Sequence, residues 1–314
     1  MGLIKFSFLI LLILLPLRGF CGTFFTESFE DANFSSRGWY EAGASAIVSG
    51  GQSGNCLELA WPSGSVYPNN VHTLRHAFTA TETLYVKLYM KFDTNWEGSQ
   101  VGYHPHLFYI LSSLDGSESG LATNYLDTYI EPHSAVGSPY STYLLLILQD
   151  ALRINSTACS PSNSCNLVGV TENRAVAGCN GTLGDPGVSD CYNGPPWENE
   201  RDWGIPASPF AKGVWNEIEV YFQMNSIVNG IGQADGVMMA WLNGVNILNK
   251  TNISYRTGQD ATKMWNQFII GPYIGDGSPI AQTMWIDELT VGSDNPYSAG
   301  PAPSAPTNLV IQSQ

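Results

Sequence analysis

Residues 84–92 (LYVKLYMKF) alternate without a break: Leu84, Val86, Leu88, Met90 and Phe92 point one way, and Tyr85, Lys87, Tyr89 and Lys91 the other. Period two is the side-chain period of a β-strand with one buried face. Residues 214–224 (VWNEIEVYFQM) repeat it, with Ile218, Val220, Phe222 and Met224 inward and Trp215, Glu217, Glu219, Tyr221 and Gln223 outward. Segments 236–242 and 245–249 flank Asn243-Gly244, a pair suited to a two-residue hairpin turn with both φ angles positive. Segments 23–29, 55–61, 104–112, 142–149, 267–273 and 283–291 supply further strands. About ten strands joined by Gly, Pro and Asn turns predict an all-β fold, a jelly-roll sandwich of two antiparallel sheets.

Three stretches break the rhythm. Lys5, an apolar run over 6–17 and small residues at Gly19, Cys21 and Gly22 read as a secretory signal peptide over 1–21. The run is shorter than the roughly 20 residues that span a bilayer, so the chain is expected to be secreted or periplasmic. Phe20 argues against lipid attachment at Cys21, because a lipoprotein signal wants a small residue there. Residues 151–211 are rich in Asn, Gly, Pro and Cys, and read as a loop insertion in a sandwich domain over 22–293. Cys159, Cys165, Cys179 and Cys191 would staple it, with Cys159–Cys165 and Cys179–Cys191 preferred among the three possible pairings. Four thiolates on zinc would favour closer cysteine pairs than these. Cys56 would be free, or paired with Cys21. Residues 294–314 carry a Pro/Ala/Ser linker (SAGPAPSAP) and a tail that reads as a surface attachment or the start of another module.

Composition narrows the partner. Only 13% of the 314 residues are charged and 12% are aromatic, against about 25% charged in an ordinary domain. The formal charge of −14 excludes nucleic acid as a partner. Gly and Pro content argues against a helical bundle, and 44% hydrophobic residues argue against disorder. An acidic, aromatic, sparsely charged surface suits a glycan.

Six segments, 27–30 (ESFE), 84–92, 103–109 (YHPHLFY), 215–225 (WNEIEVYFQMN), 234–244 (ADGVMMAWLNG) and 285–291 (WIDELTV), together resemble the concanavalin A-like polysaccharide lyase-like proteins of bacteria. They span most of 23–293 in the expected order. The resemblance implies a twisted two-sheet sandwich whose concave face holds a polysaccharide. The cysteine-rich insertion has no counterpart in it.

Elimination from a uronic acid needs a base for the C5 proton, an acid for the departing oxygen and a group that neutralises the carboxylate. His104 and His106, two apart around Pro105, would share a strand face about 6–7 Å apart. They are the candidate base or acid, with Tyr109 or Tyr89 completing the pair and Lys87 neutralising the carboxylate. A cupin-like metal reading fails because residues 110 and 111 are Ile and Leu. Alternatively, the histidines make structural hydrogen bonds at a bulge, and the Tyr/Lys stripe is a solvated face. Tyr85, Lys91, Gln149, Arg153 and Trp96 are candidate substrate contacts. Trp203, Trp241 and Trp265 could also stack on sugars if exposed, whereas His72 and His76, four apart around Arg75, read as surface or structural residues. Glu27, Glu30 and Asp287 could hold a structural Ca2+ tying the first strand to the last. Two other readings stand beside the lyase. One is a non-catalytic lectin-like module. The other is a glycoside hydrolase using Glu217 and Glu219, although Tyr221 stands where a third carboxylate would be expected.

Overall fold

The computed structural model describes residues 22–40, 46–69, 71, 73–99, 106–112, 127–134, 141–149, 156–157, 166–167, 200–253, 255–256, 261–295 and 297. The strands begin with β1 (Thr23–Glu27), β2 (Trp39–Tyr40), β3 (Ala46–Ser49), β4 (Asn55–Trp61), β5 (Leu74–Thr81) and β6 (Thr83–Phe92). Next come β7 (His106–Leu111), β8 (Asp127–Ser134), β9 (Thr142–Gln149), β10 (Ser156–Thr157), β11 (Asn166–Leu167) and β12 (Glu200–Pro209). The chain continues through β13 (Trp215–Gln223), β14 (Ile227–Val228), β15 (Ile231–Gly232) and β16 (Gly236–Leu242). It finishes with β17 (Val245–Ile253), β18 (Trp265–Tyr273) and β19 (Gln282–Gly292).

Two antiparallel sheets stack face to face. An eight-stranded sheet runs β17-β16-β13-β6-β19-β4-β3, with β1 also paired to β19. A seven-stranded sheet runs β12-β9-β8-β7-β18-β5-β2. Strand β19 serves two partners on one edge because a bulge between Asp287 and Thr290 divides it. Its first half pairs with β4 and its second with β1. The Asn243-Gly244 turn forms as the sequence predicts, with φ of 51° and 76°.

The alternation in β6 becomes burial. Leu84, Val86, Leu88, Met90 and Phe92 join a core that includes Phe108, Ile110, Leu146, Phe268 and Ile270 of the opposite sheet. Each such side chain contributes about 1.5–3 kcal/mol by leaving water. Trp96, Trp203 and Trp265 belong to that core as well.

Among the described residues, the segment expected to be a loop insertion contains three strands, the short pair β10 and β11 and the longer β12. Residues 200–209 form β12, which pairs with β9 at the edge of the seven-stranded sheet. Gly204, Pro206 and Pro209 conceal it in the sequence. An edge strand tolerates them, because one side of its backbone needs no partner. The register slips between Gly204 and Pro209 accordingly. The four insertion cysteines and Cys21 lie outside the described residues. Cys56 is a buried free thiol, and burial, followed by the nearby Asp287 charge, pushes it up to about 11.

Candidate functional site

The residues proposed for catalysis divide between the two outer faces of the sandwich. Tyr85, Lys87, Tyr89 and Lys91 stand on β6, on the outside of the eight-stranded sheet. His106 and Tyr109 stand on β7, on the outside of the seven-stranded sheet. Stacked sheets lie about 10 Å apart before outer side chains are counted. The two groups therefore cannot meet on one sugar, and Lys87 cannot neutralise a carboxylate held at His106.

On the eight-stranded sheet the stripe is internally paired. Lys87 forms an ion pair with Glu217 at 2.7 Å, and the Tyr89 hydroxyl donates to the same carboxylate. The Tyr85 and Tyr297 hydroxyls donate to the two oxygens of Glu219, Tyr297 at 2.6 Å. Tyr297 also stacks on Trp241 with ring centroids 4.5 Å apart. Tyr85 is 1% exposed, so it offers a substrate no surface. Lys91 lies between the rings of Trp215 and Trp285, at 4.9 and 4.7 Å. Glu219, with both oxygens engaged and 3% exposure, is unsuited to protonating a glycosidic oxygen. That removes the geometric support for hydrolysis.

Partial burial works to raise the Glu217 carboxyl, but Lys87 and Tyr89 outweigh it, and the group is held below its ordinary value. The folded pKa therefore lies below the unfolded one. The pair stabilises the fold above the ordinary carboxylate range, and that contribution is lost as pH falls through the lowered value. Lys87→Met, which keeps the aliphatic stem, is expected to cost about 1 kcal/mol at neutral pH. The cost should vanish at a pH low enough to protonate Glu217. Urea titrations at both pH values check this, and an equal cost at both would assign the stabilisation to packing.

The other outer face is built differently. One rung crosses the seven-stranded sheet as Tyr40–Arg75–Ile269–Tyr109–Tyr129–Ile147. Residues directly opposite on neighbouring strands project on the same side, so this register lines up three tyrosines and one arginine, with Ile269 and Ile147 among them. The Tyr109 and Tyr129 rings meet edge to face at 4.9 Å. Gly271 makes room for the first of them, since a Cβ there would sit 3.0 Å from Tyr109 Cε2. Gly204 spares Tyr143 in the same way, again at 3.0 Å. Arg75 donates to Gln267 Oε1 at 2.6 Å, and Gln267 donates to the Tyr40 hydroxyl at 2.8 Å.

His106 sits beside this row. A register slip between Ile270 and Tyr273 places it opposite Tyr273. Its ring stacks on Tyr273 at 4.8 Å and on Tyr109 at 5.9 Å, with Tyr129 edge-on at 5.5 Å. The Nδ1 atom pairs with Glu131, whose side chain is 1% exposed while that of His106 is 13% exposed. A carboxylate only accepts, so Nδ1 carries the hydrogen and the neutral ring keeps its lone pair on Nε2. The arrangement can orient a base and surround it with phenol donors.

Other candidates fall elsewhere. Trp96 is fully buried against Trp61 and Phe92, so it packs the core and is no sugar contact. Glu27 is 1% exposed and accepts from Phe29 N, Arg37 Nε and Trp39 Nε1 at 2.8–2.9 Å. Those donors occupy the oxygens a calcium ion would need, so Glu27 does not fit such a site. Glu30 accepts from Asn55 N, and Asp287 from Ser53 N and Glu288 N. Among the described residues no cluster of three or more His, Cys, Asp or Glu side chains could hold a metal. Gln149 takes the register position opposite Asp127 and Glu200 at one end of the seven-stranded sheet. His72, His104 and Arg153 lie outside the described residues. Arg75, Tyr129, Glu131, Gln267 and Tyr273 were not singled out for chemistry from the sequence. The clearest available signal was Glu131, a carboxylate within the short segment DTYIEPHS that also contains a proline and a histidine.

No family model matches this sequence, and no curated protein does. Among solved structures, the fold resembles the alginate lyase vAL-1 from Chlorella virus with a TM-score of 0.54 at 14% identity. That match covers 88% of this chain and 100% of the other. A mutant of the alginate lyase Aly36B in complex with alginate trisaccharide gives a TM-score of 0.50 at 12% identity, covering 87% and 99%. At such identities the likeness concerns the fold, a two-sheet jelly-roll sandwich shared with polysaccharide lyases. No helix among the described residues is long and apolar enough to cross a membrane.

Proposed function

We propose that this protein is a secreted or periplasmic enzyme that cleaves a uronate-containing polysaccharide by β-elimination on the outer face of its seven-stranded sheet. The observation that carries the reading is the His106–Glu131 pair set among Tyr109, Tyr129 and Tyr273. Support also comes from the fold, which resembles structures named as alginate lyases, one of them holding an alginate trisaccharide.

In this reading His106 Nε2 takes the proton from C5 of the uronate. The C–H electrons form the C4–C5 double bond as the C4–O bond breaks. A tyrosine hydroxyl from the set Tyr109, Tyr129 and Tyr273 around His106 gives its proton to the departing oxygen. Arg75, 3% exposed and hydrogen-bonded to Gln267, lies two strands from Tyr109 on the same rung and acts on the sugar carboxylate through its fixed positive charge rather than by contact. Glu131 holds the imidazole in the tautomer that leaves Nε2 basic.

The test incubates the protein with alginate, glucuronan and pectate and follows ultraviolet absorbance of the unsaturated product. Growth on one of them is expected. Retardation in a polymer-containing gel with no absorbance change would replace the lyase by a lectin-like binder, which the same aromatic face would serve. New reducing ends without absorbance would replace it by a hydrolase.

A further inference from the structure

Beyond the His106 cluster, the ring contacts continue outward along one line. The Tyr273 ring, stacked on His106 at 4.8 Å, also meets the Tyr67 ring at 6.4 Å, tilted by 46°. Tyr67 lies between β4 and β5, and at 65% exposure it is the most exposed large hydrophobic residue of those described.

An exposed ring on a loose loop would mean little, but this loop is stitched down. Gly64 N donates to Ser278 O at 2.7 Å, Ser278 N to Ser65 O at 2.8 Å, and Ile274 N to Val66 O at 2.8 Å. Trp61 Nε1 donates to Val66 O at 3.2 Å, and Ser65 Oγ donates to the carbonyl of Tyr67 itself at 2.7 Å. The backbone before Tyr67 is thus fastened to the turn that follows β18, the strand that also carries Tyr273, and after it Asn69 N donates to Ala60 O of β4 at 2.7 Å. A rigidly presented, solvent-facing phenol loses little freedom when a ligand covers it, which is the condition for an efficient contact.

From this we infer that Tyr67 is a distal sugar-binding platform, joined through Tyr273 to the His106 site. The polysaccharide then lies along the line Tyr67–Tyr273–His106, with one pyranose stacked on Tyr67 while another is held for reaction. The inference rests on the elimination reading and deepens it. The substrate is an extended chain gripped away from the scissile bond. Tyr67 is a positioning residue and touches no reacting atom.

The experiment compares wild type, Tyr67→Ala and Tyr67→Trp on sodium alginate, or on whichever uronate polymer is cleaved, and on its shortest cleavable oligomers. Tyr67→Ala should raise KM for the polymer about tenfold with kcat unchanged, the pattern of a lost contact made equally in ground and transition states. Short oligomers that cannot reach Tyr67 should show no change, and Tyr67→Trp should restore the polymer KM. Cleavage with an unaltered polymer KM in Tyr67→Ala overturns the platform while leaving the elimination reading intact. Should no uronate be cleaved, the elimination reading fails, and polymer-gel retardation decides the platform alone. Retardation lost in Tyr67→Ala and kept in Tyr67→Trp supports it. Retardation equal in both, or absent in wild type, overturns it.

Discussion

Replacing His106 with alanine is expected to lower kcat for uronate elimination about a hundred- to ten-thousandfold, the usual worth of a positioned base. Because the Glu131 side chain is 1% exposed, the same variant also takes a partner from a buried carboxylate, a stability loss of up to about 3–5 kcal/mol that the melts below separate from lost chemistry. Glu131→Gln should lower kcat less, since the amide can still orient the ring but no longer holds it as a charged acceptor. Its effect should be larger on kcat than on KM. Lys87→Ala should leave the rate within about twofold of wild type, as substitutions away from the site do. That contrast is the decisive measurement, because the two residues occupy opposite faces. A Lys87→Ala enzyme that loses activity while His106→Ala keeps it would move the active site to the eight-stranded sheet. Thermal melts of each variant separate lost chemistry from lost structure.

Glu27→Ala is expected to cost about 2–4 kcal/mol, chiefly because it leaves the buried Phe29 amide and Trp39 indole without an acceptor, whereas Arg37 is 30% exposed and keeps Asp31. The carboxylate joins three donors from different parts of the N-terminal region: the Phe29 amide, the Arg37 guanidinium and the Trp39 indole. Removing it strands the Trp39 indole, whose residue is 2% exposed. Such a loss is a large share of an ordinary domain's stability of roughly 5–15 kcal/mol. Asp31→Ala tests the specificity of the effect. Asp31 pairs with the same arginine, but its side chain is 54% exposed, so the cost should stay below about 1 kcal/mol. Denaturant titrations measure both. A chelator that destabilised wild type by the same amount, and left Glu27→Ala untouched, would instead make Glu27 a calcium ligand.

How much was legible varied with what each strand had to bury. In β6 and β13 the alternation is unbroken, and the predicted inner residues are those in the core. Strand β9 reads TYLLLILQ, and its bounds were legible although its faces were not. Leu145 and Ile147 pack on the outer side with Tyr129, while Leu144, Leu146 and Leu148 pack inside. Strand β8 was missed because its outer positions carry Tyr129, Glu131 and His133, and Pro132 interrupts it. Those outer residues are the ones that surround His106 or continue its row, so the features that hid the strand are the ones that build the candidate site. Trp96 was misplaced for the converse reason. An indole suits a sugar or a core equally well, and only packing against Trp61 and Phe92 decides.

By itself the sequence determined that the chain is a β-sandwich, where most strands lie, and which residues share a strand face. Those properties are local, set by the period of side chains along an extended backbone and by turn residues such as Asn243-Gly244. Only the tertiary structure decided which sheet each strand enters. Strands β6 and β7 are neighbours in sequence, yet β6 pairs with β13 and β19 while β7 pairs with β8 and β18. Alternation looks the same in either sheet, because both bury one face and show the other to solvent. Residues that look outward in consecutive strands can therefore end back to back. That is why Lys87 left the proposed site, and why Arg75, Gln267 and Tyr273, far apart in the chain, came to stand with His106 and Tyr109 on one sheet.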